Sequence, residues 1–81
     1  MLIIESFEEN SDGRSAGLRQ GDVIVKVNGI HVSSVQDIVR SYERGKEGDI
    51  IPVETERGIF NVKLVKDIPT GNAFIGIRMK K

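Results

Sequence analysis

The chain has 81 residues, with twelve Lys and Arg against twelve Asp and Glu, one histidine and no cysteine. A single domain is the most this length supports, and it buries only roughly 60% of the surface its unfolded chain exposes. Interspersed, balanced charge argues against a nucleic-acid binder, and the missing cysteine excludes disulfides, thiolate metal sites and a nucleophilic thiol.

Residues 2–7 read as a short strand, apolar through Ile4. The run is cut by Glu5, far short of a signal-peptide core or the roughly 20 residues that span a bilayer, so the isolated chain is expected to be soluble. Residues 8–13 gather acids and turn formers into a solvent loop. Ser15-Ala16-Gly17-Leu18 then fits one helical turn, small enough for close packing and anchored by Leu18, with Gly21 free to take positive φ at its exit.

Residues 23–27 are β-branched apart from Lys26 and predict a strand, which ends on Asn28-Gly29, a pair suited to a tight turn. Residues 30–32 resume as a brief extended piece. Ser33 or Ser34 can cap the next helix, with Asp37 in its first turn, and Val35, Ile38, Val39 and Tyr42 form an amphipathic stripe at i, i+3, i+4 and i+7. Gly45 and Gly48 are expected to stop it.

Residues 49–56 predict a strand with Ile51, Val53 and Thr55 on one face and Pro52 implying an edge position or a bulge. Arg57-Gly58 turns the chain back into residues 59–66, where Phe60, Val62 and Leu64 alternate with Asn61, Lys63 and Lys66, completing a hairpin. Residues 67–72, with Pro69 and Gly71, read as a loop, and residues 73–79 form an apolar run broken by Gly76. The order predicts an α+β, mainly β domain: a small, partly open β-barrel or sandwich of five or six strands with one short and one longer helix.

No catalytic constellation is present. The serines lie outside any nucleophile elbow, and one histidine without a His-x-x-x-His pair makes no triad or zinc site. Glu8, Glu9 and Asp12 lack the spacing of an EF-hand, and no phosphate-cradling glycine pattern occurs, so no metal or cofactor is expected. His31 reads as a surface histidine.

The set Ser15-Ala16-Gly17-Leu18, Gly21-Asp22-Val23-Ile24 and Val27-Asn28-Gly29 resembles the signature of PDZ domains, and the elements that follow fit over essentially the whole chain. Scaffold-type PDZ domains carry a Gly-Leu-Gly-Phe-like carboxylate-binding loop near their start. Here the stretch similar to it is Phe74-Ile75-Gly76-Ile77, with Phe74 at the place of the first glycine. That resembles the circularly permuted PDZ domains of bacterial and archaeal proteases: the high-temperature-requirement serine proteases, the site-2 intramembrane metalloproteases and the Lon-like membrane-associated proteases.

The resemblance implies one PDZ domain over residues 1–81, cut from a larger, membrane-associated protease and not itself an enzyme. It implies a groove that receives a peptide as an added strand, with Phe74, Ile75, Gly76, Ile77, Arg78 and Met79 on one side and Val35, Val39 and Tyr42 on the other, Ile38 facing the core. The expected partners are a peptide or protein C-terminus ending in a hydrophobic residue such as Val, Leu or Ala, and the parent protease domain; the isolated domain is expected to be monomeric. Read from the residues alone, the 74–77 stretch is an ordinary terminal strand with a glycine at a bulge, and the helix stripe is plain core. A domain with a closed groove, acting as a steric plug or docking surface, is the alternative function.

Overall fold

A computed structural model describes residues 1–67 and 70–80. The chain runs β1 (Leu2–Phe7), α1 (Gly13–Ala16), β2 (Val23–Val27), β3 (Ile30–His31), α2 (Val35–Ser41), β4 (Ile50–Thr55), β5 (Gly58–Lys63), β6 (Val65–Lys66), β7 (Ala73–Phe74) and β8 (Ile77–Lys80). Six strands form a sheet in the order β5-β4-β2-β1-β8 with β3 paired to β2, and β6 and β7 form a separate ribbon. All described pairs are antiparallel. The mainly β, two-helix architecture is therefore as expected from the sequence.

Alternation of apolar and polar side chains builds the core, and two bulges shift its rhythm. On β1, Leu2 and Ile4 are buried, and then the register against β8 slips between Ile4 and Ser6. On β2, Ile24 and Val27 are buried three positions apart because the pairing with β4 slips between Ile24 and Lys26. Val25 is the extra residue, and its carbonyl accepts from Val32 instead. Opposite them, Ile51 and Val53 of β4 and Val62 of β5 are buried with Leu64, Leu18 and Ile38. Each such side chain contributes about 1.5–3 kcal/mol on leaving water.

Three local expectations change. Pro52 is on an internal strand: β4 lies between β5 and β2. The Pro52 carbonyl accepts from Asn28 N–H just beyond the last β2–β4 pair, Val27 with Val53, so its missing donor falls where that ladder has ended. The short helix starts two residues earlier than Ser15, and Gly17 rather than Gly21 closes it, at φ 112°. The longer helix ends with Tyr42 as its cap, well before Gly45. The loop expected over residues 67–72 includes Pro69, which lies outside the described residues.

The Asn-Gly turn positions α2. Asn28 and Gly29 both take positive φ, 54° and 78°, as a tight hairpin of this kind requires. Asn28 then sends its side-chain N–H to the Ser41 carbonyl at 2.8 Å, tying the turn to the last residue of α2. At the other end Ser34 Oγ accepts from Asp37 N–H, while Ser33 N–H and Oγ both donate to the Asp37 carboxylate. The Ser33 N–H holds the Asp37 carboxyl below its usual range.

Candidate functional site

Strand β8 pairs with β1 on one side, and its other edge meets no strand among the described residues. An unpaired edge offers a row of N–H and C=O groups to any extended chain that approaches. Which groups face outward follows from one bond. Glu8 N–H donates to the Gly76 carbonyl at 2.8 Å, turning that oxygen toward β1. In a trans peptide the next N–H points the opposite way, so Ile77 N–H faces the open edge. Along β8 the same direction returns two residues later, at Met79.

Helix α2 stands across from this edge. The cleft between them has a volume of about 270 Å³ and is walled by Val35, Ile38, Val39 and Tyr42 from the helix side and by Phe74, Ile75, Ile77, Arg78 and Met79 from the strand side. Glu8 and Asp67 complete its lining. The sequence-derived residues thus come together, Gly76 forming the loop behind Ile77 rather than the wall. Val35 and Val39 are 46% and 48% exposed, whereas Ile38 is 1% exposed and belongs to the core. Helical geometry places residues four apart on one face, so the two valines form an apolar strip along the cleft.

Individual roles differ from a uniform loop. Phe74 belongs to β7, opposite Val65, and is half-buried. Ile75 and Ile77 are buried members of the core as well as cleft residues. Gly76 is required by its φ of 78° and by a close approach: a Cβ there would lie 2.8 Å from Ser11 Cβ. The side of Gly76 that admits no side chain therefore faces the loop before α1, not an incoming ligand. Arg78 is exposed and paired with Glu8, while Met79 is half-buried on the opposite face.

Tyr42 lines the cleft, as the resemblance implies, but is largely buried. It is 8% exposed, and burial, with the Asp67 carboxylate, raises its phenol above the ordinary range against the opposing pull of the Ile75 backbone amide. Glu8 and Asp67 were missing from the sequence-derived set. Neither has a local signal, since Glu8 is brought to the cleft by the β1–β8 pairing and Asp67 by the β6–β7 ribbon.

A larger depression of about 440 Å³ lies at the C-terminal end of α2, among Asn28, Arg40, Ser41, Tyr42, Arg44 and Asp49. It has neither an open strand edge nor a strip of exposed apolar side chains. Among the described residues, no three His, Asp or Glu side chains gather to hold a metal ion, and no helix is long and apolar enough to cross a membrane. His31 is exposed on β3 and stands apart from the cleft.

An edge strand facing a helix across an apolar cleft is a geometry that an added strand can fill. No curated protein matches the chain. The fold is similar to that of the PDZ domain of an SdrC-like protein from Listeria monocytogenes, at 22% identity and a TM-score of 0.79, over 96% of this chain and 85% of that one. It is equally similar to the PDZ domain of the SdrC-like protein from Listeria innocua, at 22% identity and a TM-score of 0.81, over 99% of this chain and 93% of that one. A family model for the PDZ domain matches residues 3–57. On that match the chain belongs to the PDZ domains, modules that are generally noncatalytic and bind peptides or protein segments.

Proposed function

We propose that this domain captures a peptide, either a C-terminus or an exposed extended segment, as an added strand on the open edge of β8, and that it delivers or regulates substrate for an associated protease. The observation that carries the binding step is the pairing of an unpartnered β8 edge with the exposed strip of Val35 and Val39 across the same cleft. Main-chain hydrogen bonds to β8 would supply affinity, and the two valines with Met79 would supply preference for apolar side chains. Phe74, Ile75, Gly76, Ile77, Arg78, Met79, Val35, Val39 and Tyr42 are the residues assigned to this site. Short peptides lose their own freedom on docking, so affinity should be on the order of micromolar, about −8 kcal/mol.

The protease association rests on the order of elements. The loop-and-strand unit at residues 74–79 follows the signature stretch instead of preceding it, as in the permuted domains of membrane-associated proteases. A His-Glu-x-x-His helix or a Ser-Lys pair in sequence adjoining this domain would support it; a parent protein with no protease motif would remove it.

Titration with peptides ending in Val, Leu or Ala tests binding through backbone amide shifts. Perturbation should centre on Ile77 to Met79 and on Val35 and Val39. No perturbation there at millimolar peptide would refute capture in this groove.

One observation favours a second reading. Tyr42, 8% exposed, lines the cleft with a buried side chain. A domain whose groove is filled by its own side chain would serve as a steric plug or docking surface in its parent protein. Replacing Tyr42 with a smaller apolar residue separates the two: a plug gains peptide binding, and an open groove keeps what it has.

A further inference from the structure

The charges around the loop end of the cleft distinguish between the two kinds of segment just proposed, so the inference rests on strand addition at β8. Glu8 and Asp67 both line the cleft. Glu8 is held there by its own backbone bond to the Gly76 carbonyl. Asp67 is held by the ribbon that leads into the loop, its N–H donating to the Asn72 carbonyl at 2.7 Å and its carboxylate accepting from Thr70 Oγ at 2.6 Å. Among the cleft-lining residues the basic side chain is Arg78, and it is paired with Glu8.

A terminal carboxylate approaching the Ile75-Gly76-Ile77 amides therefore meets a cation already engaged by Glu8 and, in Asp67, one carboxylate that no lining cation offsets. Like charges brought together at a binding surface are disfavoured, more so where the wall is apolar and screening is reduced. The open edge itself asks only for main-chain N–H and C=O groups, which the middle of a chain supplies as well as its end. A cation there would gain what an anion loses.

We infer that the groove takes an internal extended segment carrying a lysine or arginine, its cation placed at Asp67 and its apolar neighbours along Val35 and Val39, in preference to a free C-terminus.

The test uses one short acetylated peptide, apolar with a single lysine, prepared with a free carboxylate and with a carboxamide end. Affinities are read from the backbone amide shifts of β8. The carboxamide should bind about fivefold more tightly than the free acid, and changing its lysine to glutamine should remove a similar factor. Asp67→Asn should shrink both differences, and Glu8→Gln provides a second variant should the first disturb the β6–β7 ribbon. Tighter binding of the free acid, or equal binding of the two ends, would overturn the inference while leaving strand addition standing. Absence of β8 shifts with either peptide would overturn strand addition as well, and the wild-type comparison requires no substitution.

Discussion

Arg57 closes on Asp22 across the sheet: Nε donates to Oδ1 and Nη2 to Oδ2, each at 2.7 Å, while a further Nη2 bond reaches the Gly17 carbonyl at 2.9 Å. Asp22 is buried and also accepts from Arg19 N–H, so one carboxylate joins the turn after β4, the end of α1 and the entry to β2. The Arg57 bond is the largest influence lowering the Asp22 carboxyl below its ordinary value, ahead of the opposing cost of burial. A depressed acid stabilises the fold at every pH above its unfolded value and loses that contribution as pH falls through its folded value. Stability should accordingly decline below about pH 4. Asp22→Asn should flatten that decline and cost about 1–2 kcal/mol at neutral pH, measured by urea unfolding across the acid range.

Two glycines with similar backbone should respond differently to alanine. Gly48 has φ 95° with nothing within 4 Å of the Cβ position, whereas Gly76 has φ 78° and would set its Cβ 2.8 Å from Ser11 Cβ. Gly48→Ala should cost about 1 kcal/mol of backbone strain alone. Gly76→Ala adds a clash between the 75–77 loop and the segment before α1, and should cost about 2–4 kcal/mol. Denaturant midpoints of the two variants give the comparison directly. Equal losses would mean that the loop yields freely at Ser11.

The difference between those glycines also shows how far the sequence could be read. Strands β1 and β2 fall on their predicted bounds because β-branched runs between turn formers are a local signal. The helix stripe marked Val35, Ile38, Val39 and Tyr42 as one apolar face, but its division into buried Ile38 and exposed Val35 and Val39 is not a local signal. What local pattern cannot carry is partnership over distance. Ser11 faces Gly76 only after β1 and β8 have paired, Asn28 reaches Ser41 only after α2 has folded back, and Asp67 joins the cleft only through the β6–β7 ribbon. Pro52 misled for a related reason. A proline excludes a ladder bond, and here the neighbouring ladder had already ended.

Helix α2 divides stability from recognition along one turn. Ile38→Ala removes a side chain that is 1% exposed and should cost about 2–4 kcal/mol. Val39→Gln changes a side chain that is 48% exposed and should leave stability within about 0.5 kcal/mol. Under the proposed function, the same Val39→Gln change should weaken an apolar peptide about fivefold, because the strip shared with Val35 is interrupted. Thermal unfolding and peptide titration on the same two proteins separate the roles. Loss of stability on Val39→Gln with unchanged binding would assign that residue to the core.

Tyr42 can be followed alone, since the chain contains one tyrosine and no tryptophan. Burial first, and the Asp67 charge after it, raise its phenol, against the pull of the Ile75 amide. Phenolate absorbance should therefore appear above the ordinary tyrosine range near pH 10 as long as the fold persists. The sign for stability follows. The unfolded chain ionises this group first, so folding loses free energy as pH rises above the unfolded value. Asp67→Asn should move the midpoint downward by removing one of the two causes that raise it, with the effect reduced by added salt. A midpoint unchanged by Asp67→Asn would show that this carboxylate exerts no field on the phenol that shares the cleft lining with it. The titration therefore measures, without any peptide, the field that the choice between an internal basic segment and a free terminus depends on.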